Sequence, residues 1–185
     1  MAHGAESSSD YAGLSRSVVS NDIVLSVEDA TALGIRALRA VGFDADQAPV
    51  IAAHLVDAAL CGYRCAGLPR ILTINEDPRT HQPRAPVTIV RETEVSALMD
   101  GGNNVGYYAV YKAMQLAIEK ARKSRIAKAV SELIENVRNV PPLHADEPVR
   151  IPSERAFRER AQRCKTRIPG AVEVHRQLLE LAGKA

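Results

Sequence analysis

Two successive segments, 26–42 and 44–62, carry apolar residues at helical spacing, and this pattern limits the fold more than any other feature. Ser26 stands where a helix N-cap belongs, and Gly42 stands where a helix ends. Pro49 falls within the first turn of the second segment, where no backbone donor is needed. The two apolar faces consist of Ala30, Leu33, Ala37, Leu38 and Val41, and of Ile51, Ala52, Leu55, Ala58 and Ala59. The sequence therefore predicts two consecutive helices.

Aromatic residues make up 4% of the 185 residues and tryptophan is absent, so the core has to be built from Ala, Leu, Ile and Val. Helices tolerate that composition better than sheets, which favour β-branched and aromatic residues. Periodicity elsewhere predicts strands at 23–25, 87–91 and 94–99, helices at 69–75, 106–123, 131–139, 153–167 and 171–182, and a strand start at 126–130 that runs into helix. The predicted fold class is a helix-rich α+β domain with one small sheet.

Composition also excludes several classes of protein. A net charge of +2 gives no sequence-wide attraction to nucleic acid or to an anionic membrane. No apolar run approaches the roughly 18 residues that span a bilayer, and no secretory signal is recognisable. The chain has three cysteines, an odd number that does not form a disulfide framework, which indicates reduced thiols and a cytoplasmic location. Residues 1–22, rich in Ser, Gly and Ala, are predicted to be a flexible tail before one domain at 23–185.

A resemblance to a known family rests on several segments taken in order. They are the helix ending Val41-Gly42-Phe43, the stretch ADQAPVIAAHLVDAAL, the motif Gly62–Arg70, the strand ending Met99-Asp100-Gly101 and the helix YYAVYKAMQLAIEKARKS. Together they resemble the malate/L-lactate dehydrogenase family, whose members are non-Rossmann oxidoreductases that reduce 2-oxo acids or cyclic imines with NADH or NADPH. The resemblance covers 23–130, and 140–182 is similar to the closing segment of that family.

In that family a large cofactor-binding domain separates the two blocks. In this chain the first block, 23–130, continues directly into the C-terminal helices of 131–185. The resemblance therefore implies that this chain by itself holds neither NADH nor NADPH. The glycine pair within Asp100–Asn104 is predicted to form a turn between a strand and a helix, and a phosphate-binding role is the less favoured alternative.

The resemblance also implies a loss of chemistry. The signature of the family is Arg-Gly-x-x-Ser-His-Gly, followed three positions later by a basic residue, and its His is the general acid. Cys61 falls at the Arg position, Cys65 at the Ser position and Ala66 at the His position, so no catalytic residue is predicted. Arg70 is retained, and Arg64 lies within the motif. Both arginines are candidates for binding the carboxylate of a small organic acid, with a solvent-facing or salt-bridged side chain as the alternative.

The cysteine pair does not predict a metal site. Cys61 and Cys65 would share one face if the segment were helical, and His54 is the nearest histidine. Structural zinc sites bring four donors, so no metal is expected. A buried or semi-buried thiol, rather than a nucleophile, is the expected state of Cys65.

Two functions remain open on these grounds, and a third, cofactor-free chemistry in the old acid pocket, has no constellation of acid, base and nucleophile to support it. The chain is either a truncated oxidoreductase that is not competent alone, or a non-catalytic pseudoenzyme module. Family members are dimers, so the second hypothesis implies a homodimer or a heterodimer with a related subunit. The first predicts binding of a 2-oxo acid that depends on Arg70, and the second predicts an assembly that does not.

Overall fold

A computed structural model of the chain describes residues 22–124, 126–142, 149 and 151–183. The tail predicted for 1–22 lies outside these residues except for Asp22, which begins the first strand. The strands are β1 (Asp22–Leu25), β2 (Thr88–Glu92), β3 (Ala97–Asp100) and β4 (Ile168–Ala171). The helices are α1 (Val27–Val41), α2 (Gln47–Leu60), α3 (Arg70–Glu76), α4 (Gly106–Lys123), α5 (Ile126–Arg138), α6 (Glu154–Arg163) and α7 (Val172–Ala182). The predicted helix-rich α+β class is confirmed.

Helices α1 and α2 form the centre of the core, and their sequences explain why. Ser26 Oγ accepts a hydrogen bond of 2.9 Å from the Asp29 backbone N–H and caps the start of α1, as predicted. Gly42 follows α1 in the left-handed conformation, at φ 101°, which glycine adopts without steric penalty. The two helices pack against each other through their predicted apolar faces, and both Leu38 and Ile51 are fully buried.

Strand β4 departs from the sequence prediction, which expected Ile168-Pro169-Gly170 only to interrupt a helix. It pairs antiparallel with β1 and places Pro169 opposite Val24. Proline lacks a backbone donor, and a two-stranded sheet tolerates it because each strand has one open edge. The described residues therefore form two two-stranded sheets where one small sheet was predicted. Helix α7 follows β4, packs on α1 and buries Leu178.

The start of α6 also differs from the prediction. Ser153 precedes α6 in the left-handed conformation, at φ 73°, and its side chain makes no capping hydrogen bond. The predicted Ser153 cap is therefore wrong, because a side chain caps a helix from extended backbone. Glycine adopts a positive φ readily, whereas serine does so at a steric cost.

The β2–β3 hairpin and helices α4 and α5 are much less buried than α1 and α2. Every residue of β2 is exposed, and α4 buries Tyr108 and Lys120. The Lys120 ammonium group lies 2.8 Å from a Glu92 carboxylate oxygen and donates to the Thr93 carbonyl, which holds the hairpin against α4. Residues 126–130 are helix, so the strand start predicted there is wrong. Within the described residues, no helix combines the length and apolarity needed to cross a membrane.

Candidate functional site

The motif at 61–70 forms a short connection between α2 and α3. Cys61 follows the last residue of α2, Gly62 turns the chain at φ 92°, and residues Arg64–Ala66 form one turn of 3-10 helix. Cys61 and Cys65 therefore do not lie on one helix, and the shared face considered for them does not form. Arg70 is the first residue of α3.

The two glycines retained in the motif have structural reasons to be there. A Cβ atom on Gly67 would lie 2.9 Å from the Ala59 Cβ and 3.3 Å from the Leu55 carbonyl oxygen, both on α2. A Cβ atom on Gly62 would lie 2.6 Å from a Glu159 carboxylate oxygen, and the positive φ there already favours glycine. Both glycines let the motif pack closely on its neighbours, so their retention reflects the fold.

Ala66 lies on the exposed surface of the 3-10 turn, at the position that the resemblance assigns to the general acid. A methyl side chain can neither donate nor accept a proton at any pH. The side chain at this position therefore supplies no acid–base chemistry.

The two candidate arginines have different surroundings. Arg64 donates to Asp22 on β1 with an N–O distance of 2.7 Å, and its side chain is half-exposed. Arg70 is exposed, and among the described residues its side chain has neither a hydrogen bond nor an ion pair. Arg64 lines the cavity described next, whereas Arg70 is not among its lining residues. The structure thus does not bring both guanidinium groups to one cavity.

A cavity of about 430 Å³ lies between the β1–β4 sheet, the 3-10 turn and α7. Its walls are mainly apolar, and Arg64, Cys65 and His175 contribute the polar side chains. The Nδ1 atom of His175 is buried and has no hydrogen-bond partner among the described atoms. An apolar cavity with a few polar groups is the usual form of a small-molecule site.

His175 was not predicted from the sequence to belong to a site. No local pattern identifies it, because the pairing of β4 with β1 is what brings α7 to this cavity. Only knowledge of that long-range pairing would have indicated a polar group here.

The glycine turn at Asp100–Asn104 is engaged in internal hydrogen bonds. The Gly102 N–H donates to an Asp100 carboxylate oxygen at 2.9 Å, and the Asn104 side-chain amide donates to the Ala85 carbonyl at 2.7 Å. A Cβ atom on Gly102 would lie 2.3 Å from that same carbonyl oxygen. The turn therefore packs against the loop before β2, and the Gly102 amide does not point freely toward a phosphate group.

Helix α6 is held against the end of α2 by an ion pair between Arg160 and Asp57. Burial raises the pKa of the Cys61 thiol, and the neighbouring Asp57 carboxylate raises it further. Cys61 is therefore protonated at neutral pH and is a poor nucleophile. Among the described residues, no group of three or more His, Cys, Asp or Glu side chains is placed to hold a metal ion.

Comparison with known proteins identifies relatives for the N-terminal part of the chain. A family model described as malate/L-lactate dehydrogenase matches residues 25–130. Malate/(S)-sulfolactate dehydrogenase of Methanothermus fervidus is 32% identical over 106 residues, which are 56% of this chain and 31% of that relative. Malate dehydrogenase of Pyrococcus abyssi is 36% identical over 101 residues, 50% of this chain and 26% of that relative. The matches thus span less than a third of these curated relatives.

Solved structures give the same assignment for this part. Malate dehydrogenase from Pyrococcus horikoshii is 28% identical with a TM-score of 0.52, over 56% of this chain and 30% of that structure. A dehydrogenase from Sinorhizobium meliloti has a TM-score of 0.67 at 12% identity, over 87% of this chain and 99% of the solved one. At that identity the likeness concerns the fold alone, and its extent takes in both the N-terminal and the C-terminal parts of this chain.

Proposed function

Because the chain belongs to the malate/L-lactate dehydrogenase family, we propose that it is a truncated domain of that family that does not catalyse hydride transfer alone. The reaction it derives from is reduction of a 2-oxo acid or a cyclic imino acid with NADH or NADPH. In this proposal the chain keeps the fold around the signature motif and has lost the groups that drive the chemistry.

The observation that carries the proposal is Ala66, at the position of the family's general acid. Reduction of a carbonyl leaves an alkoxide that needs a proton, and loss of the proton donor costs about a hundredfold to ten-thousandfold in rate. Cys61, at the position of the family's arginine, has a raised pKa and stays neutral, so it offers a carboxylate no positive charge. Both substitutions act in the same direction.

Neither the glycine turn at Asp100–Asn104 nor the Arg64 side chain offers a nicotinamide dinucleotide a free phosphate-binding group. Such a cofactor brings a pyrophosphate group, which proteins bind with free backbone amides or unpaired cations. The Gly102 amide is already bonded within its turn, and Arg64 is paired with Asp22. This supports the proposal that the chain alone holds no NADH or NADPH.

A second candidate function is assembly without catalysis, as a pseudoenzyme that pairs with itself or with a full-length relative. The exposure of large apolar side chains on α4 and α5 favours it. Soluble monomers seldom leave large apolar patches in contact with water, so such patches mark interaction sites. The two candidates are compatible, since a chain that has lost its chemistry can retain a role in assembly.

The test is a fluorescence titration of NADH and of NADPH with the purified full chain, repeated with a panel of 2-oxo acids. We expect no saturable cofactor binding up to millimolar concentration and no consumption of the reduced cofactor. Saturable binding together with substrate-dependent oxidation would overturn the proposal.

The same preparation tests the retained arginine. Isothermal titration calorimetry of the wild type with pyruvate and with larger 2-oxo acids should be repeated on Arg70→Ala. The control is Arg36→Ala, which changes an exposed arginine of α1. Binding that weakens in Arg70→Ala alone would show that Arg70 contacts a carboxylate. Equal affinity of both variants for the 2-oxo acids would mean that Arg70 is a solvent-facing residue with no part in binding.

A further inference from the structure

The cavity beside the 3-10 turn has the size and the walls of a small-molecule site. Leu25 of β1 and Leu178 of α7 belong to its mainly apolar lining, and its volume is about 430 Å³. An enclosed apolar cavity of about 150 Å³ holds benzene, so this larger one has room for two fused rings. Cys61, Ala66 and Arg70 do not line it. The cavity therefore does not include these three positions of the signature motif.

His175 offers this cavity a hydrogen-bond donor. Its Nδ1 atom is buried and unpaired, whereas its Nε2 atom is not among the buried unpaired atoms and has no hydrogen-bond partner among the described residues. A buried N–H group without an acceptor is rarer in proteins than a buried acceptor without a donor, so we assign the ring proton to Nε2. The imidazole of His175 thus has an N–H group available for a ligand.

The charged groups at the cavity form a pair. Arg64 lines the cavity, and one of its guanidinium N–H groups donates to the Asp22 carboxylate across an N–O distance of 2.7 Å. The two formal charges cancel, so the pair gives the cavity no net charge that would attract an anion. A carboxylate ligand would have to compete with Asp22 and lose its hydration against apolar walls, which is costly. A neutral ligand meets neither obstacle.

We propose that this cavity binds a neutral, largely apolar small molecule with one oxygen atom that accepts a hydrogen bond from His175 Nε2. An alicyclic or aromatic ketone of up to two fused rings is the class of ligand that meets these conditions. Its rings would replace water against the apolar walls, and its carbonyl oxygen would pair with the imidazole N–H group. The proposal concerns binding alone and goes beyond both functions proposed above, since it requires neither hydride transfer nor assembly.

The experiment titrates the purified full chain with 1-tetralone, a neutral bicyclic ketone. Tetralin has the same rings without the carbonyl group, and 1-naphthoate has two fused rings with a carboxylate. Two-dimensional ¹H–¹⁵N NMR gives the dissociation constant of each compound. Because tetralin and 1-tetralone differ in their hydration, the hydrogen bond is tested by comparing protein variants with each ligand, as in a double-mutant cycle.

His175→Leu removes the donor and leaves an apolar side chain in its place. It should weaken the binding of 1-tetralone about fivefold, which corresponds to the loss of one neutral hydrogen bond, and should not weaken that of tetralin. Gln177→Leu is the control, because it makes the same kind of change on α7 at a residue that does not line the cavity. Circular dichroism checks that both variants fold. Equal affinity of His175→Leu and the wild type for 1-tetralone, or an equal loss with both ligands, would overturn the hydrogen bond.

A second measurement locates the ligand. Cys65 lines the cavity, whereas Cys164 is an exposed thiol that does not. Saturating 1-tetralone should slow the alkylation of Cys65 by iodoacetamide several-fold and leave the rate at Cys164 unchanged, as measured by peptide mass spectrometry. An unchanged rate at Cys65, or no saturable binding of 1-tetralone up to millimolar concentration, would overturn the site. Binding of 1-naphthoate as tight as that of 1-tetralone would overturn the neutral class of ligand, and the NADH and NADPH titrations are independent of all these outcomes.

Discussion

Two pairs of helices, α1 with α2 and α4 with α5, have amphipathic sequences but differ in how far their apolar faces are buried. In α1 and α2 the apolar face is almost fully buried, with Leu38, Ile51 and Leu55 inaccessible to water. In α4 and α5 several large apolar side chains are exposed, and Met114 and Leu133 are 58 and 61% exposed. The first pair closes a core within one chain, and the second pair leaves large apolar side chains exposed among the described residues.

This difference shows that periodicity reports which side of a helix is meant to be buried, and that it does not report what buries it. A stripe such as that of α5 is satisfied by the same chain, by a copy or by another protein, with the same sequence pattern. The signature motif also shows that a sequence feature can serve packing alone. Gly62 and Gly67 pack closely against their neighbours, while Ala66 offers no acid–base group.

The largest expected effect separates the two pairs of helices directly. Leu38→Ala removes a fully buried side chain and should lower the free energy of unfolding by about 3 kcal/mol. Leu133→Ala changes the same residue type at a position 61% exposed and should change the stability of the monomer by less than about 0.5 kcal/mol. Urea denaturation followed by circular dichroism, at protein concentrations low enough to keep the chain monomeric, measures both. Equal losses would mean that α5 is buried within its own chain.

A smaller effect is expected at the glycines of the two regions. Gly67→Ala forces a methyl group to 2.9 Å from Ala59 and should cost about 2 kcal/mol through displacement of the motif from α2. Gly106→Ala, at the start of α4, meets nothing within 4 Å and should instead stabilise the fold by about 0.5 kcal/mol. Thermal unfolding of both variants should show a lower melting temperature for Gly67→Ala and a higher one for Gly106→Ala. Loss of stability in Gly106→Ala would indicate an unrecognised contact at α4.

The smallest effect concerns Ser153, which enters α6 with a positive φ. Ser153→Gly should relieve this backbone strain and raise the free energy of unfolding by about 0.5 kcal/mol, after the greater entropy of glycine in the unfolded chain is subtracted. Ser124→Gly at the end of α4, where φ is −95°, relieves nothing and removes a hydrogen bond to the Lys120 carbonyl, so it should destabilise. Chemical denaturation of the two variants compares them. A loss of stability in Ser153→Gly would show that its side chain has a role that outweighs the strain.

Much of the fold was predictable from local pattern. The cap at Ser26, the end of α1 at Gly42 and the bounds of α4 were read correctly, because each depends on residues close together in sequence. Strand β4 was missed because Pro169 and Gly170 indicate a break, and only the partner strand β1 makes them part of a sheet. The strand start at 126–130 was wrong because β-branched residues compete there with a helical stripe, and the stripe prevailed over the full length of α5.

At the candidate site, the sequence predicted only which side chains of the signature motif are replaced. Ala66 and Cys61 could be assigned by position within a contiguous motif, and no tertiary information was needed for that. The cavity beside Arg64 could not be foreseen, because His175 reaches it from the far end of the chain. The roles of Arg64 and Arg70 in binding an organic acid stay predictions that the proposed titrations address.

The sequence by itself determined the helical stripes, the caps and the absence of an acid–base side chain at Ala66, since these depend on residue identity and short-range spacing. The tertiary structure decided which stripes are covered, how β1 and β4 pair, and where Arg64 and His175 come together. The physical reason is that burial and long-range pairing are set by the balance of all contacts in the folded chain. Local spacing places the apolar residues of each helix on one face, and the packing of the whole chain determines which of these faces are buried.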